Sequence, residues 1–384
     1  MKKIVVWLTV LITVMSVIVP VKAEGPEIEA PCAILTEAST GRVIYEKNAD
    51  ESLHPASITK IMTLLIIFDA VEDGSISPED TVTVSEHAAS MGGSQVFLEP
   101  GETQTVETMI KCIAIASAND ACVAMAEHIS GSEDAFVQSM NERAEALGMN
   151  NTHFVNCCGL DADGHMTTAR DVAIMSRELI MAHPAIHDYS CIWMDTITHV
   201  TRRGESEFVL NNTNKLLKQY EWATGLKTGS TSLAKFCLSA TARRNDIELI
   251  SVIMASPSGK TRVSDSIALL NYGYGICSLY HDNNMPSIDV IPIKGGIRSD
   301  ISVEYSSQMN YLFTDKYDAS LIESHAEYLE DLEAPVQKGD VIGQLTYTYD
   351  GKFMDSIDII ASESIKKAGY GDYINSLWQC FLGN

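Results

Sequence analysis

Ser57-Ile58-Thr59-Lys60, placed just after Pro55 at the head of an apolar stretch, is the segment on which the fold and chemistry of this 384-residue chain turn. The residues that follow, Ile61-Met62-Thr63-Leu64-Leu65-Ile66-Ile67-Phe68, are apolar on most helical faces, which predicts a buried helix over 57–71. In the first turn of such a helix, positions i and i+3 project from one face, so the Ser57 hydroxyl and the Lys60 amine can meet. Serine is a weak nucleophile at neutral pH, and a nearby lysine can take its proton when burial or another cation favours the neutral amine. Alone, Ser-x-x-Lys recurs by accident, so its meaning depends on what accompanies it.

Two further elements accompany it. Ser117-Ala118-Asn119 falls at a break between two predicted helices, 105–116 and 121–129, where polar side chains compete with the backbone and favour a cap or turn. Lys227-Thr228-Gly229, followed by Ser230, falls at the end of a predicted strand over 222–227. Each tripeptide is weak by itself, but their order and their helix, loop and strand contexts together are not a chance pattern.

With these three motifs the sequence resembles the D-alanyl-D-alanine carboxypeptidases of peptidase family S11, low-molecular-mass penicillin-binding proteins with the serine transferase fold of the β-lactamases. The resemblance extends through Met91-Gly92-Gly93-Ser94, Leu98-Glu99-Pro100-Gly101-Glu102, Asn151-Thr152-His153-Phe154-Val155-Asn156, Gly159-Leu160-Asp161, Gly164-His165, Thr168-Ala169-Arg170-Asp171 and Asn212-Thr213-Asn214. It implies an α/β (α+β) β-lactamase/transpeptidase-like serine domain with an antiparallel sheet and helices, followed by a small all-β domain. It implies a role for each matching residue as well. Ser57 attacks the carbonyl between two terminal D-alanines of a peptidoglycan pentapeptide, Lys60 takes its proton, and Ser117 relays a proton to the departing amine. Asn119 holds the substrate amide. Lys227, Thr228 and Gly229 engage the terminal carboxylate, with Arg262 as a second contact, and the backbone N–H groups of Ser57 and Ser230 form the oxyanion hole. β-Lactam antibiotics are then covalent inhibitors, and neither a metal nor an organic cofactor is implied.

The chemistry agrees with that assignment independently. A substrate ending in a free carboxylate needs a cation at a fixed distance from the nucleophile, and Lys227 supplies one; its charge also helps keep Lys60 neutral. The nearest rival is a serine β-lactamase, and Glu207-Phe208-Val209-Leu210-Asn211 matches the Glu-x-x-Leu-Asn pattern of one class. Glu207 lies close before Lys227 in a strand-like segment, however, and reads as an ordinary strand residue. A second rival is a catalytically silent scaffold of the cell wall, which would have no need of Ser57, Lys60, Ser117, Asn119 and Lys227 together. His54 reads as a loop histidine without a partner carboxylate, and His165 as structural. Cys157 and Cys158 depart from the commonest family pattern beside the cleft, and Ala118 stands where glycine is common. The run Ser85-Glu86-His87-Ala88-Ala89-Ser90-Met91-Gly92-Gly93-Ser94-Gln95 is similar to members associated with sporulation in Gram-positive bacteria.

Composition sets the surroundings. Residues 1–23 read as a signal peptide, with Lys2 and Lys3, an apolar stretch and Val21-Lys22-Ala23 at the cleavage site. A serine domain over 24–281, a β-rich domain over 282–368 and an amphipathic tail over 369–384 follow. In the tail, Tyr370, Ile374, Leu377, Trp378, Phe381 and Leu382 form an apolar stripe that either docks on the β-domain or lies in a membrane interface. The net charge of −24 disfavours nucleic acid, which would gain no counterion release from an acidic partner. Nine cysteines, with neither a Cys-x-x-Cys nor a His/Cys spacing, give no pattern for a disulfide framework or a metal site.

Overall fold

A computed structural model describes residues 25–288, 290–372 and 374; the leader 1–23 and the tail residues Leu377, Trp378, Phe381 and Leu382 lie outside the described residues. The first unit is built on a five-stranded antiparallel sheet in the order β2-β1-β5-β4-β3. These strands are β1 (Cys32–Glu37), β2 (Val43–Lys47), β3 (Ala223–Thr231), β4 (Lys235–Arg244) and β5 (Ile247–Ser256). Along β5, Ile247-Glu248-Leu249-Ile250-Ser251-Val252-Ile253-Met254 is buried at every position, because helices cover both sheet faces. Leu249 and Ile253 pack with Leu269 and Leu270 of α4 (Gly259–Ile276) on one face. Ile250 and Val252 join α1 (Lys60–Glu72) and α3 (Ala169–Ala182) in the core on the other.

The polar run Arg243-Arg244-Asn245-Asp246 folds into a tighter turn than its composition suggests. β4 and β5 run on to Arg244 and Ile247, leaving Asn245 and Asp246 at φ 50° and 62° as a two-residue loop. Left-handed backbone at both positions is type I′ geometry, which Asn and Asp tolerate and which matches the strand twist.

Two helix boundaries are also corrected. The helix expected from Ser57 begins at Lys60, preceded by a tight 3-10 turn over Ala56–Thr59. From Ile61 to Phe68 every residue except Ile66 is buried, and each such aliphatic side chain contributes about 1.5–3 kcal/mol to stability. The second motif breaks the helices as expected, but Asn119 is the first residue of α2 (Asn119–Ser130) rather than a loop residue.

The second unit centres on a four-stranded antiparallel sheet in the order β6-β9-β8-β7. Its strands are β6 (Val303–Tyr305), β7 (Ile322–Tyr328), β8 (Val341–Tyr349) and β9 (Lys352–Ala361). The period-two pattern decides which face is inside, for Leu345, Tyr347, Ile357 and Ile359 are all buried. Asp350 and Gly351, both at positive φ, make the β8–β9 turn. Ser278–His281 pairs with Asn310–Phe313, and Leu312 closes the core under α4, which joins the two units along this seam.

Candidate active site

Ser57 is presented by a turn that adjacent loops hold in place. Ala56 has φ 48°, a conformation that a residue with a Cβ adopts only when its surroundings enforce it. Gly159, itself at φ +85°, lies so close that a Cβ on it would fall 1.9 Å from the Ala56 carbonyl oxygen. From the other side comes Gly229 on β3, where a Cβ would sit 2.9 Å from the Ser57 amide nitrogen. Glycine in the third motif is thus required by the approach of an edge strand to the nucleophile's own N–H.

Lys60 is fully buried beneath that turn. Its Nζ lies 3.0 Å from Ser57 Oγ, 2.6 Å from Asn119 Oδ1 and 2.5 Å from the Cys158 carbonyl oxygen. The other end of the Asn119 side chain donates to the Gly92 carbonyl at 2.7 Å, and its backbone N–H donates to Ser94 at the same distance. Asn119 therefore couples the lysine to the loop above the cleft.

Ser117 has φ 62°, the second strained residue of the site, and its buried Oγ accepts from Lys227 Nζ at 2.9 Å. Lys227 also donates to the Thr228 carbonyl. Burial first, and then the charge of Lys60, pushes Lys227 well below the ordinary lysine range. Thr228 Oγ1 is 2.7 Å from Thr213 Oγ1, so the Asn212-Thr213-Asn214 segment braces β3. Arg262 stands against the β3–β4 pair, with Nη1 donating to the carbonyls of Gly229 and Cys237 at 3.0 and 3.1 Å.

The third motif does not end its strand. β3 continues through Lys227, Thr228, Gly229 and Ser230 to Thr231 as the sheet's outer strand. Ser57, Lys60, Ser117, Asn119, Lys227, Thr228, Gly229 and Ser230 thus converge from a turn, a helix start, an interhelical loop and a sheet edge. Glu207 is elsewhere, exposed on the hairpin of Met194–Thr201 and Gly204–Asn211. His54 Nδ1 is buried without a hydrogen-bond partner among the described residues.

Two supporting groups, the Cys158 carbonyl and the Asp120 carboxylate, were not legible in the motifs. The Cys158 carbonyl carries no side-chain signal, yet it is one of three oxygens around Lys60. Buried Asp120 accepts from the N–H groups of Val96 and Leu98 and shapes the loop that Asn119 grips. His165 accepts from the Val155 N–H through Nδ1 at 2.8 Å, which places its proton on Nε2, 2.8 Å from Thr59 Oγ1. The histidine is structural, tying the loop of 155–165 to the nucleophile turn.

Comparison with known proteins identifies relatives of this arrangement. Residues 19–258 match the family model described as D-alanyl-D-alanine carboxypeptidase, and residues 286–367 match that of the penicillin-binding protein 5 C-terminal domain. The chain is 41% identical to D-alanyl-D-alanine carboxypeptidase DacF of Bacillus subtilis, over 89% of this chain and 87% of that protein. It is 33% identical to DacA of Escherichia coli, over 93% and 90% of the two chains. Penicillin-binding protein 5 of Haemophilus influenzae superposes with a TM-score of 0.76 at 29% identity, covering 90% of this chain and 99% of the other.

Proposed function

The chain belongs to the D-alanyl-D-alanine carboxypeptidase family and is a serine-type hydrolase of that activity, and from this premise we propose how its own residues carry the reaction. Ser57 Oγ attacks the carbonyl carbon between the two terminal D-alanines, and Lys60 in its neutral form takes the hydroxyl proton across 3.0 Å. The oxyanion lies against the N–H groups of Ser57 and Ser230, each such donor lowering the barrier by about 3 kcal/mol. Ser117 passes a proton to the amine of the departing D-alanine, whose carboxylate is held by Lys227 and Thr228 beside Gly229. Arg262 adds its charge at that end of the cleft. Asn119 turns its amide from the Gly92 carbonyl to the substrate's peptide group. Water then cleaves the Ser57 ester, releasing the shortened stem peptide and restoring the hydroxyl.

The observation that carries this reading is the pairing of two buried lysines with two serines, Lys60 with Ser57 and Lys227 with Ser117. Ser57→Ala is expected to abolish both D-alanine release from a pentapeptide and covalent labelling by fluorescent penicillin. Retained release would sink it. Labelling followed by rapid turnover of the drug would favour a β-lactamase instead.

The remaining parts of the reading concern where the enzyme works. Residues 1–23 act as a removable signal, so that the mature chain, a serine domain over 24–281 and a β-rich domain over 282–368, acts outside the cytoplasmic membrane on the wall. β-Lactams acylate Ser57. The tail over 369–384 holds the enzyme at the membrane surface; among the described residues no helix is long and apolar enough to cross a membrane. Flotation with liposomes, with and without the tail, tests that attachment. A sporulation role is supported by the 85–95 segment, and a sporulation defect on deletion of the gene is its test.

A further inference from the structure

Cys157 and Cys158 lie in the loop that closes over the nucleophile turn, both fully buried and both without a task in the acyl transfer itself. Only their backbone serves the site, the Cys157 carbonyl accepting from Thr63 and that of Cys158 from Lys60. The fold brings them a third group that no sequence spacing announces. Glu133, the first residue of the helix Glu133–Ala146, points its carboxylate at the pair, with Oε1 3.4 Å from Cys157 Sγ. One ligand atom each from Glu133, Cys157 and Cys158 lies within 4.8 Å of the others.

Two thiols and a carboxylate in one cluster are a donor set for a borderline-soft cation. Zinc binds sulfur at about 2.3 Å and carboxylate oxygen at about 2.0–2.2 Å, so tetrahedral ligand atoms stand about 3.3–3.8 Å apart. The Glu133 to Cys157 distance already falls in that range, and the other two pairs lie within 4.8 Å. The carboxylate is also oriented from outside, since Oε2 lies 3.0 Å from Nε2 of the exposed His87. A hydrogen bond of this kind to its other oxygen fixes a metal-binding carboxylate, and here the imidazole stands on the solvent side by which an ion would enter.

We propose that Glu133, Cys157 and Cys158 form a binding site for a thiophilic divalent cation of the zinc class, distinct from the acyl-transfer machinery but directly behind Lys60. Binding releases the thiol protons, so affinity rises with pH, and the thiolates select zinc or cadmium over magnesium and calcium.

The test is titration of the full, reduced chain with Cd2+, followed by the ultraviolet thiolate-to-cadmium band. The expected band saturates at a single equivalent, is competed by Zn2+ and is unmoved by Mg2+. Glu133→Gln should weaken binding by about tenfold or more, Cys157→Ser should remove about half the band, and Cys191→Ser, at an exposed thiol, should change neither. Labelling with fluorescent penicillin verifies that Glu133→Gln is folded, and this variant alone decides the question should Cys157→Ser fail to fold. A band that does not saturate at one equivalent, that depends on Cys191, or that has wild-type affinity in Glu133→Gln overturns the proposal.

Discussion

Lys227 Nζ donates to Ser117 Oγ across 2.9 Å, with both side chains almost wholly removed from water. Burial and then Lys60 oppose this lysine's charge, and its hydrogen bonds go to a hydroxyl and a carbonyl. A substrate's terminal carboxylate supplies the missing countercharge, so binding the correct peptide end also restores the cation. Lys227→Met should therefore lower kcat/KM by about 100-fold or more, mainly through KM, when D-alanine release is assayed. Its stability should respond in the opposite sense. With the folded pKa held below the ordinary 10.5, the unfolded chain binds more protons between the two values, so wild-type stability gains from this group as pH rises toward 10.5. That increment should be missing from Lys227→Met, as a difference in urea midpoints between the two proteins across pH 8 to 10.

Gly229→Ala separates folding from chemistry. The new methyl would stand 2.9 Å from the Ser57 nitrogen and 3.0 Å from both the Ile58 nitrogen and the Pro55 oxygen. Since Gly229 has an ordinary negative-φ or extended backbone, the strand itself is not strained by a side chain. The nucleophile turn must yield instead, and the Ser57 N–H leaves the position where the oxyanion forms. Loss of one such donor costs about 10²–10³ in rate, so acylation by a labelled penicillin should slow by that factor while the thermal midpoint falls only modestly.

His165 should make the fold sensitive to mild acid. Burial, reinforced by the nearby His54 and His153, pushes it down to about 4 from 6.5. Between those values the unfolded histidine is protonated and the folded one is not, so stability is full above pH 6.5 and declines as pH falls toward 4. The loss is on the order of 3 kcal/mol, taking 1.36 kcal/mol per unit. Chemical denaturation at pH 7 and pH 4.5 should show the decline, and His165→Gln, which keeps a polar side chain but cannot titrate, should flatten it.

How much of the site could be read in advance follows from what each residue contributes. Ser57 and Lys60 act through side chains at a fixed i, i+3 spacing, and the serine and asparagine of the second motif at i, i+2; such relationships survive in a linear sequence. The 3-10 turn does not, because what bends the chain at Ala56 is the Gly159 loop, a hundred residues away in sequence. The Cys158 carbonyl is equally hidden, since any residue at 158 has one. The central strand β5 was visible as an apolar run, whereas the two-residue turn before it depended on Asn245 and Asp246 both accepting positive φ, a choice settled by strand pairing. Glu133 meets Cys157 only once the helices are packed.

The contact between Asn119 and Lys60 offers the most direct handle on the proton transfer. Asn119 Oδ1 is 2.6 Å from Lys60 Nζ and Nδ2 is 2.7 Å from the Gly92 carbonyl. Asn119→Asp keeps the shape and replaces a neutral acceptor with a carboxylate where both groups are buried. A carboxylate at that distance favours the ammonium form of Lys60, and an ammonium cannot take the Ser57 proton. It also faces the Gly92 carbonyl with an acceptor in place of a donor, which loosens the loop over the cleft. Acylation near neutral pH should fall by about 100-fold, and part of it should return as pH rises, moving the acid limb of the pH–rate profile upward. Asn119→Ala removes the same hydrogen bonds without adding charge, so it should lose rate with no such displacement of the limb. Equal profiles for the two variants would show that Asn119 acts on the loop alone and has no influence on the base.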